Sequence, residues 1–334
     1  GAVLALAAAI ASVVLFFQQP PPAPTTSAPP TSEPPTAATT SRPQTTSGQA
    51  GGAVSGYVAP TLIAITKAAA SRAGLDPGGI RSVGSVEGLR LIQQGNVPDI
   101  YASVDIELLP DIKKTNPRQV FVIGRFNLTI TCLKPLGGVA DLLSRRQALA
   151  DPYKAPIGYR ALAVAWLLKK QGAANLTPLY EEMGVKYAET PRGVNITTPT
   201  ALKNTPRVVV ASNLDGAWAQ LETGGADCAF AYTPFLINKG VKIGERLGET
   251  ALWVAYRARA SFGEVYVYSL KPPLDFADDP PYEIYVVFVD AAGNVVKTLR
   301  VGHFEAFAAS YTERGDKVIE AMRGIDAATF GFKR

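Results

Sequence analysis

From Asp151 to Gln171 the chain reads DPYKAPIGYRALAVAWLLKKQ, and this stretch constrains the fold more than any other. Pro156 suits the first position of a helix, where its missing N–H costs nothing. Tyr159–Lys170 follows without a breaker and sets Leu162, Ala163, Trp166 and Leu167 on one face at helical spacing. Lys169 and Lys170 fall in the last turn, where the helix dipole favours cations. Gly158 leaves room for another stretch of backbone to pass close by. A helix that starts this way presents free N–H groups at its N-terminus, which can receive an anion.

Around that helix the chain alternates between β and α patterns. Thr61–Arg72 reads as a helix after the turn Ser55-Gly56. Ile80–Val83 reads as a strand leading through Gly84-Ser85 into helix Val86–Gln94. Pro98–Ser103, Gln119–Ile123 and Leu128–Leu133 read as β segments. Beyond the central helix, Val185–Ala188, Val208–Ala211 and Cys228–Tyr232 are expected strands, and Asn213 caps a helix over Leu214–Leu221. Glu264–Leu270 and Tyr282–Val289 alternate as antiparallel strands. Asp290–Asn294 turns the second of them into Val295–Arg300. Helices Phe304–Tyr311 and Asp316–Arg323 close the chain. This order implies an α/β fold with a largely parallel sheet.

The N-terminal part is of a different kind. Residues 1–18 hold an uncharged apolar run, expected to be a membrane anchor or a signal core, with its true start upstream of Gly1. No small-residue cleavage site follows, which favours the anchor. Residues 19–52 are rich in proline, threonine and serine and carry almost nothing to bury, so they read as a disordered stalk. An anchor and a stalk together imply a globular part held outside a membrane. That part, roughly 280 residues, is long enough for two lobes with real cores.

The chemistry of the sequence excludes several classes. His303 is the sole histidine among 334 residues, so histidine catalysis and histidine-ligated metals have no support. No G-x-S-x-G elbow or phosphate-binding P-loop occurs, and the reading is of a protein that is not an enzyme. A net charge of +5 suits a small anion, but the basic residues do not cluster as in a nucleic-acid binder. Cys132 and Cys228 have no metal-ligand spacing; they read equally as one disulfide or as two core thiols. Asn127, Asn175 and Asn195 each begin a glycosylation triplet.

What remains is a repeated device: a strand, a small polar turn, then a helix. It occurs at Val83-Gly84-Ser85, Ala155-Pro156-Ile157-Gly158 and Ser212-Asn213-Leu214, with a weaker instance at Val54-Ser55-Gly56-Tyr57. Hydroxyls and N–H groups converging from several such turns would hold an oxyanion with neutral donors alone.

The segments SVGSVEGLRLIQQG, PDIYASVD, ADPYKAPIGYRAL, SNLDGAWAQLETGGADCAFAY and EAFAASYTERGDKVIEAMRG carry a resemblance. Between about Ser55 and Gly324 the chain resembles the substrate-binding proteins of molybdate/tungstate ABC transporters, archaeal members most. The resemblance implies a two-lobed type II periplasmic-binding fold with mixed sheets and a hinge of crossing strands. Residues 53–126 and 276–334 would form lobe 1, and 127–275 lobe 2. It implies an extracytoplasmic receptor, monomeric, that captures molybdate or tungstate and presents it to ABC permease subunits, with no cofactor. By position, Ser55 and Ser85 would donate hydroxyls from lobe 1; the Ile157 and Leu214 N–H groups and the Tyr232 hydroxyl would donate from lobe 2. Archaeal members carry acidic residues where this chain has Ala155 and Ala231. The implied ligand is therefore a four-coordinate, tetrahedral oxyanion held by hydrogen bonds. A sulfate-like anion is the alternative cargo. A surface assembly protein that kept the fold and lost the ligand is the alternative class.

Overall fold

The structure is a computed structural model that describes residues 52–333. The expected anchor, 1–18, and all but the last residue of the expected stalk, 19–52, lie outside the described residues. Among the described residues no helix is long and apolar enough to cross a membrane.

Two sheets found the two lobes. The first is mixed and five-stranded, in the order Ile80–Ser82, Gly56–Val58, Ile100–Ser103, Glu305–Ser310, Gln119–Arg125. Its first three strands run parallel, with Gly56 opposite both Ile80 and Ile100. Helices Ile63–Arg72, Ser85–Gln93 and Glu313–Arg323 belong to this lobe. The second sheet has seven strands: Lys242–Glu249, Trp253–Ala260, Gly263–Leu270, Leu128–Cys132, Cys228–Tyr232, Gln147–Ala150 and Val208–Ala211. Leu128–Cys132 is antiparallel to both its neighbours, while Cys228–Tyr232, Gln147–Ala150 and Val208–Ala211 run parallel.

The chain crosses between these sheets twice. Phe126 and Asn127 join Gln119–Arg125 to Leu128–Cys132, and the segment after Leu270 returns to Glu305–Ser310. Buried phenylalanines mark both crossings: the rings of Phe126 and Phe304 stack with centres 5.0 Å apart, and Phe276 meets Phe304 edge-on at 6.0 Å. Hydrophobic burial thus holds the two connections together as one bundle.

The central helix, Pro156–Lys170, is buried from Pro156 to Leu168. The sequence showed one apolar face, but the helix is enclosed more fully, and its buried charge, Arg160, is paired with Asp105. Close passage at its start depends on Gly158: a Cβ there would meet the Ala150 carbonyl oxygen at 2.1 Å. A third, four-stranded sheet supplies further cover, in the order Val295–Arg300, Glu283–Val289, Gly193–Pro199, Lys186–Thr190. Ile284, Val286 and Phe288 alternate inward along Glu283–Val289, as a strand with one buried face must. Aromatic contacts pair Phe288 with Tyr159 and Tyr282 with Trp166 of the helix.

Several expectations need correction. Glu305–Ser310 is a strand, not a helix. Its alanine-rich sequence favours a helix locally, but it is inserted between two strands of the first sheet, and tertiary pairing overrides propensity. Gly263–Leu270 and Glu283–Val289 lie in different sheets. The stretch 276–334 does not join the first sheet as a whole: Glu283–Val289 pairs in parallel with Gly193–Pro199. Cys132 and Cys228 stand opposite each other on adjacent antiparallel strands and form a disulfide.

Candidate functional site

In an open parallel sheet, ligands bind beyond the carboxyl ends of the strands, where helix N-termini gather. Here the carboxyl end of Gly56–Val58 leads to Ala59, Pro60 and Thr61. The end of Ile80–Ser82 leads to Gly84 and Ser85. From the second lobe, Gln147–Ala150 leads to Ala155, Pro156 and Ile157, Val208–Ala211 to Leu214, and Cys228–Tyr232 ends at Tyr232. All of these, with Val104, line one small cavity between the lobes.

Four of the five expected donors meet there: Ser85, Ile157, Leu214 and Tyr232. Ser85 is the first residue of its helix, and its Oγ accepts the Val104 N–H at 3.3 Å. That bond uses the oxygen as acceptor and leaves the hydroxyl proton to donate. Ile157 and Leu214 occupy the first turns of Pro156–Lys170 and Leu214–Glu222, where N–H groups have no partner within the helix. Asn213 caps the second of these as expected, its Oδ1 accepting the Gly216 N–H at 3.0 Å.

Tyr232 is the most informative member. Its hydroxyl is buried and, among the described residues, has no hydrogen-bond partner. Its ring is wedged edge-on between Phe126 and Phe304 of the two crossings, at 5.0 and 4.7 Å. Burial drives the hydroxyl's pKa well above the ordinary tyrosine value; the Arg160 charge opposes this and Asp105 adds to it. The group is therefore a neutral donor at physiological pH.

Ser55 is not part of this cavity. It precedes the strand Gly56–Val58 and so lies at the amino end of the sheet, away from the carboxyl end. There its N–H and hydroxyl both donate to Asp99 Oδ2, at 2.8 and 2.9 Å. A first-lobe residue at the cavity that the sequence reading did not single out is Thr61. It lines the cavity, is buried, and among the described residues leaves Oγ1 without a partner. The available signal was Val58-Ala59-Pro60-Thr61, a strand end followed by a proline suited to a first helical turn. The strand before it is three residues long, too short to show as periodicity, so the turn was placed at its wrong end.

Ala155 lines the cavity, so no carboxylate reaches it from that position; Ala231 is buried but does not line it. Alternation along a strand points Ala231 away from the face that Tyr232 uses. Among the described residues no acidic or basic side chain lines the cavity. The charges that act on the Tyr232 hydroxyl are those of Arg160 and Asp105. Both are fully buried and paired: Arg160 Nη1 and Nη2 donate to the two Asp105 oxygens at 2.9 and 3.1 Å. The remaining Arg160 donors go to the Gly302 and His303 carbonyls.

The cavity is tight, about 10 Å³, on the order of the room one water needs. A larger space of about 220 Å³ is lined by Leu236, Ile237, Val241, Ile243 and Val267, all in the second lobe. Its walls are mainly apolar and do not suit an anion. Among the described residues no cluster of side chains could hold a metal ion.

No family model matches the chain, and no curated protein matches it. Solved structures do. The periplasmic molybdate-binding protein of Azotobacter vinelandii aligns over 84% of this chain and 99% of its own, at 15% identity and a TM-score of 0.50. The substrate binding domain attributed to a molybdenum ABC transporter of Clostridium difficile covers 84% and 98%, at 11% identity and a TM-score of 0.39. The arginine-, lysine-, histidine-binding protein ArtJ of Geobacillus stearothermophilus covers 82% and 89%, at 11% identity and a TM-score of 0.36. The first of these likenesses, together with the sheets and crossings described above, shows the two-lobed α/β fold of periplasmic binding proteins.

Proposed function

We propose that this chain is the solute-binding protein of an ABC importer and captures a tetrahedral oxyanion, molybdate or tungstate first, between its lobes. One observation carries the reading. Thr61 and Tyr232, one from each lobe, line the same cavity, and each has a buried hydroxyl that, among the described residues, has no partner. A buried hydroxyl left unsatisfied costs about 1–3 kcal/mol, and a ligand oxygen would satisfy each. Ser85 and the helix starts at Ile157 and Leu214 supply further neutral donors. Bonds from such donors to an ionised acceptor are short and strong where water is excluded. The small cavity favours an inorganic ion over an organic solute.

The disulfide suits an oxidising compartment, and with the apolar segment 1–18 it supports a receptor tethered on the outer face of a membrane. Its partners would be the ion and the membrane permease; it would act as a monomer, without cofactor and without enzymatic turnover.

Calorimetric titration with molybdate, tungstate, sulfate and phosphate in turn tests the reading. Tight binding of the first two alone supports it. Preference for sulfate keeps the receptor and changes its cargo. No heat from any of the four, with a folded protein, refutes it.

A further inference from the structure

The lobes touch at points that are not themselves ligand donors, and one contact is unusual in being made by backbone alone. The Val86 and Glu87 N–H groups, in the first turn of the first-lobe helix, donate to a single oxygen, the Lys154 carbonyl of the second lobe, at 3.0 and 3.2 Å. Unpaired first-turn N–H groups are thus capped across the cleft. Approach this close requires a bare backbone at the preceding residue. A Cβ on Gly84 would lie 2.3 Å from the Lys154 oxygen and 2.9 Å from its carbon. The three atoms that such a Cβ would approach most closely all belong to Lys154 and Ala155 of the other lobe. Gly84 has an ordinary negative φ of −63°, so alanine there is compatible with its own chain and clashes only across the cleft. Beside this seam the Arg90 guanidinium sits 4.2 Å from the centre of the Tyr153 ring, again lobe to lobe. Elsewhere at the cleft, Asn238 Nδ2 donates to the Thr61 carbonyl at 2.7 Å. Asn238 ends the helix that begins directly after Tyr232, so a cavity residue and a tie to the opposite lobe flank one short helix.

We infer that Gly84 and Asn238 are positioning residues for lobe closure. Gly84 permits the Lys154 carbonyl to cap the first-lobe helix, and Asn238 holds Thr61 against the second lobe, so that the cavity donors converge only when both contacts form. The inference rests on the oxyanion reading for its ligand but not for its geometry. If a variant lowers the closed population about tenfold, apparent affinity falls by the same factor.

The test uses the full chain carrying spin labels at Lys67→Cys and Glu222→Cys. These positions are exposed, on helices of the two lobes. The interlabel distance is measured with and without molybdate. Wild type is expected to show a shorter distance with molybdate. Gly84→Ala is expected to stay at the longer distance and to bind about tenfold or more weakly, with an unchanged circular dichroism spectrum. Asn238→Ala is expected to shift part of the way, and it carries the test if Gly84→Ala fails to fold. Distance distributions that superimpose on wild type, for whichever variants fold, overturn the inference. A wild type indifferent to molybdate, with variants still displaced to longer distances, upholds the seam and removes the oxyanion reading instead.

Discussion

Thr61 and Tyr232 line one cavity from opposite lobes, and each brings a buried hydroxyl with no partner among the described residues. Their replacement should separate binding from stability. Thr61→Val and Tyr232→Phe each remove the hydroxyl and keep the shape. Each should weaken molybdate binding by about 1–3 kcal/mol, the cost of an unmade bond to a charged acceptor. Neither should lower the melting temperature, because an unsatisfied polar atom leaves the core. Titration and thermal melts on the same samples check both halves. Unchanged affinity in both variants would remove these residues from the site.

The pH dependence follows from the same tyrosine. Burial raises its pKa well above the ordinary value of 10.0, with Arg160 opposing and Asp105 adding. The hydroxyl therefore keeps its proton, and its capacity to donate, throughout the neutral and mildly alkaline range. Among the described residues no other titratable side chain lines the cavity. Molybdate affinity should stay flat between about pH 7 and 9 and fall in acid only where the anion itself gains protons. Titrations at half-unit steps would show this; a loss of binding centred below pH 9 would contradict the placement of Tyr232.

How far the sequence could be read depended on whether burial left a pattern in it. Helix Leu214–Glu222 was legible because its Asn213 cap and apolar spacing agree. The central helix was legible because nothing interrupts Tyr159–Lys170. Glu305–Ser310 was misread because EAFAAS is a helix former whose strand state is imposed by neighbours distant in sequence. Lys242–Glu249 was missed because it is exposed along its whole length, so no alternation marks it. In the site, Ser85, Ile157, Leu214 and Tyr232 came from recurring turns and a resemblance, and the structure brings them together. Ser55 lies apart from them because a serine next to a glycine looks the same at either end of a strand, whereas the cavity lies at the carboxyl end.

Ser55 should prove a structural residue. Its N–H and hydroxyl bind Asp99, as do Thr312 and Arg314. Burial alone would raise the Asp99 pKa, but the Thr312 and Ser55 bonds and the Arg314 charge outweigh it and hold the pKa below the ordinary value of 3.8. A carboxyl depressed by folding stabilises the protein above its unfolded pKa and loses that contribution as pH falls through the folded value. Ser55→Ala should cost about 1–2 kcal/mol at neutral pH with no loss of molybdate affinity. The difference from wild type should narrow below about pH 4, as Asp99 takes up a proton. Urea unfolding at several pH values measures it. A large affinity loss with unchanged stability would return Ser55 to the site.

Arg160 and Asp105 join the second-lobe helix to the first lobe with no exposed surface on either side chain. Arg160 also reaches the Gly302 and His303 carbonyls of the returning crossing, and its guanidinium carbon lies 4.0 Å from the centre of the Phe304 ring. Asp105 takes a further bond from the Tyr159 hydroxyl and one from the Glu107 N–H. A buried pair so fully bonded does not by itself imply high stability, because both charges have lost their water. Removing one partner is a different matter, since it strands the other charge in the core. Asp105→Ala should therefore destabilise the protein by about 3–5 kcal/mol. Asp105→Leu with Arg160→Met, which removes both charges and fills the space, should recover much of that loss. Chemical denaturation of the two variants distinguishes the cases. If the single variant is as stable as wild type, the pair does not tie the lobes; if the double variant is no better than the single, the contribution lies in the shape and bonding of Arg160 at the crossing and not in its charge.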